Sequence, residues 1–161
     1  MEWIELSNGV KMPIIGYGTL QISSNLAKRK VLEALDEGYR LIDTAASYFN
    51  ETGIGEAIKE SHIPRSELFI TTKVWVQDSG YENTIKAFNQ SLTNLGLDYL
   101  DLYLIHQPYG NYYGSWKAME ELYRQGKVRA IGICNFSAER FVDFCLNCSN
   151  NIIAKYKPGD H

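Results

Sequence analysis

The chain has 161 residues, a formal net charge of -3 and 45% hydrophobic residues, values that suit one folded domain with a substantial core. Its basic residues do not cluster, which argues against a nucleic-acid surface, and no apolar run reaches the length of a membrane span. The N-terminus MEWIELSNGV has neither a basic n-region nor an apolar h-region, so no signal peptide is expected and the cytosol is the expected compartment.

WIEL and VKMPI flank Ser7-Asn8-Gly9, and Asn-Gly between apolar segments predicts a hairpin. IIGYGT predicts a strand ending in glycines. Leu26, Val31, Leu32 and Leu35 have helical spacing within residues 26–37, and Gly38 stops that helix. YRLID is a strand and residues 51–61 a helix. After the turn at Pro64-Arg65-Ser66 comes LFITTKV, a β-branched, buried strand. Residues 82–95 carry Ile85, Phe88, Leu92 and Leu95 on one stripe, with Gly96 as the stop. YLDLYLIH is a strand, residues 115–125 a helix closed by Gly126, and VRAIGIC a strand. Ser137 caps a last helix. Strand starts fall near 14, 40, 68, 100 and 128, the spacing of repeated βα units with right-handed crossovers and parallel strands. NNIIAKYKPGDH continues no such pattern, and a disordered tail is expected there.

Three cysteines in a chain without a secretion signal suggest free thiols. Cys145 and Cys148 form a C-x-x-C. There is no second pair for a zinc site, and the motif closes a helical pattern where a redox pair would open one. Chance spacing explains it.

Parallel strands deliver their carboxyl ends to one rim. Strand two ends at Asp43, strand three at Lys73 and Trp75, strand four at His106, and strand five at Cys134 and Asn135; Tyr48 follows just beyond the second. Open α/β sheets and barrels both place chemistry at this face. A tyrosine hydroxyl is a weak acid, with a pKa of about 10. A neighbouring ammonium lowers it, and a carboxylate holds the ammonium. Asp43, Lys73 and Tyr48 suit such a relay, and His106 suits donation to a carbonyl oxygen. No side chain supplies hydride, so reduction would require a nicotinamide cofactor. Each residue also has a plainer reading alone: Asp43 as a turn cap, Tyr48 as one of 11 tyrosines, His106 as a core histidine, Trp75 as packing. A lysine inside an apolar strand is the odd one, being uncommon unless paired. The set carries the weight.

These stretches together resemble the aldo-keto reductase family, with the bacterial diketogluconate and methylglyoxal reductase type as the nearest likeness. GYRLIDTAASYFNETGIGEAI resembles the family's first signature, with Asp43 and Tyr48 in catalytic slots. TTKVW resembles the segment of the catalytic lysine, here Lys73, with Trp75 as a substrate-pocket aromatic. LDYLDLYLIHQP places His106 in the catalytic histidine slot. GKVRAIGICNFS places Asn135 where the family holds the nicotinamide carboxamide, and NGVKMPIIGYGT resembles the N-terminal hairpin and first strand. The likeness runs from about residue 4 to residue 146.

The resemblance implies an α/β fold of the (β/α)8 TIM-barrel class, here an incomplete barrel: a hairpin plus five βα units over residues 1–147, with a divergent tail over 148–161. It implies NADPH-dependent reduction of small aldehydes or ketones to alcohols. Gly18 and Thr19 would lie near the cofactor, Asp43 would also touch the nicotinamide ribose, and Trp75 and His106 would meet substrate. No metal, nucleic-acid or membrane partner is implied. Two departures stand out. Cys134 replaces the serine usual before the carboxamide-binding asparagine, and cysteine is a weaker donor. The chain also stops after five units, whereas such barrels need about 250 residues. The remainder would carry a glutamine for the carboxamide, an aromatic for the nicotinamide, and the group gripping the 2′-phosphate. A frameshift, an early stop or a gene remnant would account for this. Impaired activity is therefore expected. So are two open sheet edges, inner-face side chains meeting water, and self-association through those edges. The competing reading is a non-catalytic fragment or interaction module on a reductase fold. A Rossmann domain fits less well: Gly16-Tyr17-Gly18 follows a strand, but Gln21 stands where the third glycine belongs.

Overall fold

The computed structural model describes residues 2–148 and the backbone of Ala154–Lys155. It opens with an antiparallel hairpin of Trp3–Glu5 (β1) and Lys11–Pro13 (β2). The turn lies at the expected Asn8-Gly9: Gly9 takes φ 81°, and Asn8 Oδ1 accepts from the Val10 N–H at 3.3 Å.

Five βα units follow, as the sequence predicts. They are Tyr17–Gly18 (β3) with Ser24–Asp36 (α1), Leu41–Asp43 (β4) with Glu51–Glu60 (α2), Phe69–Val74 (β5) with Tyr81–Leu95 (α3), Leu100–Ile105 (β6) with Tyr112–Arg124 (α4), and Val128–Ile133 (β7) with Ala138–Asn147 (α5). The backbone of Ala154–Lys155 (β8) pairs parallel with β7, opposite Gly132 and Ile133. The sheet order is β3-β4-β5-β6-β7-β8. The outermost strand on that side is thus β8, where β7 was expected. The rest of the predicted tail, apart from Cys148, lies outside the described residues.

Helix ends follow sequence logic. After α1 and α3 the chain turns left-handed at Gly38 (φ 96°) and Gly96 (φ 64°), and the next N–H groups reach back to Ala34 O and Leu92 O. That closure needs a residue without a Cβ penalty. α4 starts three residues before its predicted start of 115, because Asn111 caps it by accepting from the Gly114 N–H at 3.0 Å. Ser137 caps α5 as expected, accepting from the Arg140 N–H. β3 is shorter than IIGYGT suggests. Thr19 already leaves the ladder, and both its N–H and its hydroxyl go to Asp43 O, at 3.0 and 3.1 Å.

Side chains alternate across the sheet. Ile42, Ile70, Val74, Tyr103, Ile105 and Ile131 pack among helix residues that include Val31, Ile54, Phe88, Trp116 and Phe144. On the other face Leu41, Phe69, Leu102, Leu104, Ala130 and Cys134 form a second core with Leu6, Met12 and Val10 of the hairpin region. This corrects one expectation. The inner face does not meet water: Phe69 is 2% exposed, Leu102 1% and Leu104 0%. The hairpin packs into that face, and burying each such side chain contributes roughly 1.5–3 kcal/mol. Beside β3, Ile15 is 64% and Leu20 61% exposed.

Candidate active site

The register sets the height of each functional residue. Asp43 is level with Gly18 on one side and Thr71 on the other, Thr71 with Leu102, and Lys73 with Leu104 one step higher. Above Leu104 the chain continues to His106, whose N–H donates to Val74 O at 3.2 Å. Asp43, Lys73, His106 and Cys134 share the strand parity of the inner core below them. Period-2 alternation therefore aims all four into the space that Leu41, Phe69, Leu102 and Leu104 floor.

Lys73 Nζ donates to Asp43 Oδ1 at 2.5 Å and to Thr44 O at 2.9 Å. The lysine is 2% exposed, so these partners are what permit a charge in this strand. Its ammonium lies 5.4 Å from the centre of the Tyr48 ring. Burial lifts the Asp43 carboxyl above the usual carboxylate range, and the Lys73 charge pulls it partly back.

Tyr48 sits in a short 3-10 turn, Ala46–Tyr48, that follows β4. Its ring meets the His106 ring edge-on at 5.7 Å between centres. Trp75 meets the same imidazole from elsewhere, at 5.1 Å. Burial, helped by the Lys73 charge, pushes the His106 pKa down to about 4. At neutral pH the ring therefore carries one proton. Ser47 Oγ lies 3.4 Å from its Nδ1. A hydroxyl donating there leaves the proton on Nε2, which is then a neutral donor.

Asn135, two residues beyond β7, is left-handed at φ 60°. Its Nδ2 donates to His106 O at 2.9 Å and approaches Cys134 Sγ at 3.2 Å. Its Oδ1 takes no hydrogen bond among the described residues. A Cβ on Gly18, level with Asp43, would meet nothing within 4 Å. The space beside the carboxylate is open.

The structure thus gathers Asp43, Tyr48, Lys73, Trp75 and His106, with Asn135 joined to His106 and Gly18 beside Asp43. Thr19 follows Gly18 at the same strand end. It is fully buried, and its hydroxyl is committed to Asp43 O. Sequence reasoning passed over Thr44, Ser47 and Asn50. Asn50 precedes a helix and reads as an ordinary cap, so no local signal marks it. Among the described residues no cluster of His, Cys, Asp and Glu could hold a metal ion, and no helix is long and apolar enough to cross a membrane.

Residues 9–151 match the model described as "Aldo/keto reductase family". Among curated proteins, the chain is 54% identical over 137 residues to glyoxal reductase of Bacillus subtilis (strain 168), covering 84% of this chain and 50% of that protein. Among solved structures, an aldo/keto reductase from Brucella melitensis superposes with a TM-score of 0.92 at 42% identity, covering 94% of this chain and 60% of that one. A Bombyx mori aldo-keto reductase in complex with NADP gives 0.89 at 33% identity, covering 94% and 56%. The chain spans about half the length of the curated relatives it matches.

Proposed function

From the premise that this chain belongs to the aldo/keto reductase family, we propose that it reduces small aldehydes or ketones to alcohols with NADPH, Tyr48 acting as general acid. The observation that carries this reading is the placement of Lys73. Its ammonium contacts the Asp43 carboxylate on one side and faces the Tyr48 ring on the other, next to a neutral His106.

The residues present suit the nicotinamide end of the cofactor. Asn135 Oδ1 is an acceptor without a partner among the described residues, which suits a carboxamide N–H₂. The open space over Gly18, beside Asp43, suits the adjoining ribose. When bound, the reduced nicotinamide supplies the hydride.

The rest of the chemistry belongs to the chain. Nε2–H of His106 donates to the substrate carbonyl oxygen and orients it. Tyr48 gives its proton to that oxygen as negative charge develops. The Lys73 charge eases loss of the proton from Tyr48 and stabilises the phenolate left behind. Asp43 pairs with Lys73 and holds its ammonium facing Tyr48. Trp75 walls the pocket beside His106. The three free cysteines suit a reducing compartment, in keeping with a cytosolic reductase.

Titration with NADPH, followed by cofactor fluorescence, tests the first half of the reading; glyoxal, after the Bacillus subtilis relative's name, is a suitable first substrate. Weak but saturable binding and slow NADPH consumption are expected, in line with the impaired activity expected from the sequence. Tyr48→Phe should then lower turnover by about 10²–10⁴-fold with cofactor binding retained. Absence of binding overturns the proposal, and full turnover in Tyr48→Phe overturns the assignment of the acid.

A further inference from the structure

An asparagine just before a helix ordinarily turns its carbonyl oxygen to the unpaired N–H groups of the first turn. Asn50 stands there ahead of α2, yet its side chain caps nothing. It is 1% exposed and points into the protein. Nδ2 donates to Thr19 O at 2.9 Å and to Ile22 O at 3.0 Å, and Oδ1 accepts from the Thr44 hydroxyl at 2.9 Å. The chain reaches this geometry through Phe49, which is left-handed at φ 56° and 84% exposed. A bulky residue is strained in that region, where glycine or asparagine is tolerated. Two local preferences are given up side by side, and both concessions turn Asn50 inward.

What Asn50 grips is the support of the lysine. The Thr44 carbonyl is one of the acceptors of Lys73 Nζ, and Thr44 directly follows Asp43, the other. Thr19, held by the same amide, directs its N–H and hydroxyl to Asp43 O. One buried amide therefore locks the loop after β3 onto the strand end that carries both lysine acceptors. We propose that Asn50 is a positioning residue of the site. It fixes the Thr44 carbonyl and so sets the Lys73 ammonium between Asp43 and Tyr48. The kinetic consequence rests on the function proposed above; the placement of Lys73 does not.

The test compares wild type with Asn50→Ala and Thr44→Val, the latter removing only the hydroxyl that donates to Asn50. Protein labelled with carbon-13 at lysine Cε is used, with the Lys73 signal assigned by its loss in Lys73→Met. In Asn50→Ala the Lys73 signal should move toward that of an exposed lysine while the other lysine signals and the circular dichroism stay in place. Thr44→Val should shift it in the same direction by less. If wild type turns over, kcat should fall about 10- to 100-fold in Asn50→Ala with little change in KM, as misplacement of a catalytic group predicts. An unmoved Lys73 signal in folded Asn50→Ala overturns the proposal whatever the activity. If Asn50→Ala does not fold, Thr44→Val decides: a shifted signal supports the proposal and an unmoved one overturns it. Absence of turnover in wild type would refute the proposed function and leave the Lys73 signal to decide this one.

Discussion

Lys73 Nζ lies 2.5 Å from Asp43 Oδ1, although the two residues are 30 positions apart in the chain and belong to neighbouring strands. Burial raises the Asp43 pKa and the lysine lowers it. Lys73→Met removes the lowering influence, so the folded-state pKa rises further. A carboxyl whose folded pKa is raised contributes stability fully below its unfolded pKa of about 3.9 and loses it as pH rises through the folded value. The variant should therefore lose about 3–5 kcal/mol at pH 7 and clearly less at pH 4. Urea unfolding at both pH values checks this; equal losses would refute it.

His106 carries the opposite sign. Its pKa is pushed from 6.5 to about 4, so it contributes stability above about 6.5 that is lost as pH falls through about 4. Its imidazole C2–H proton should titrate near 4 by NMR. Lys73→Met should move that midpoint upward, because the lysine charge helps depress it. A midpoint near 6.5 in wild type would contradict the burial argument.

Ser47 Oγ, 3.4 Å from His106 Nδ1, should bias the ring toward the Nε2–H tautomer. Ser47→Ala should reduce that tautomer's share in nitrogen-15 NMR. If the chain is active, kcat/KM should fall about 2- to 10-fold, the worth of one ordinary hydrogen bond. An unchanged tautomer ratio would show that the serine is a bystander.

Asp101 is fully buried and pairs with Arg65 at 2.6 Å and Arg129 at 2.8 Å, while also accepting from the Ile70 N–H at 2.9 Å. Asp101→Ala removes the ion-pair partner of two guanidinium groups, of which Arg65 keeps its bonds to Leu68 O and Tyr99 O, and leaves the Ile70 N–H without its acceptor. Both cations keep some contact with water, so the loss should fall near the lower end of about 3–5 kcal/mol. Asp101→Asn, which can still accept from Ile70, should lose less. Thermal unfolding of the two variants provides the comparison.

The three thiols should label in a fixed order. Cys145 is exposed; Cys148 is half-buried, with burial the largest cause of its rise to about 11; Cys134 is buried and also raised. Only thiolates alkylate readily. Iodoacetamide at pH 8 should modify Cys145 first, Cys148 more slowly and Cys134 last, as read by mass spectrometry. Early labelling of Cys134 would mean that its burial is transient.

Much of the scaffold was legible because it depends on local rules. Gly38 and Gly96 stop helices because each must turn left-handed, and that demand is written in one residue. Apolar runs ending in Asp43, Lys73 and His106 betrayed strands ending at one rim, since parallel crossovers leave little freedom in where strand ends go. Short-range reading stops where a residue's local preference loses to a distant partner. The Thr19 hydroxyl is held by Asp43 O, 24 positions away. Asn50 stands where a helix cap would, and its amide instead joins two loops. The inner face was expected to be wet, and the hairpin fills it.

By itself the sequence determined the hairpin, the five βα units and their order, and which ionisable residues end their strands, because hydrophobic periodicity and turn chemistry act over a few residues. Only the tertiary structure decided how those groups meet. Strand register sets Lys73 against Asp43, burial neutralises His106, and a strained turn at Phe49 carries Asn50 inward. Each depends on contacts between segments far apart in the chain, and no short-range pattern encodes them.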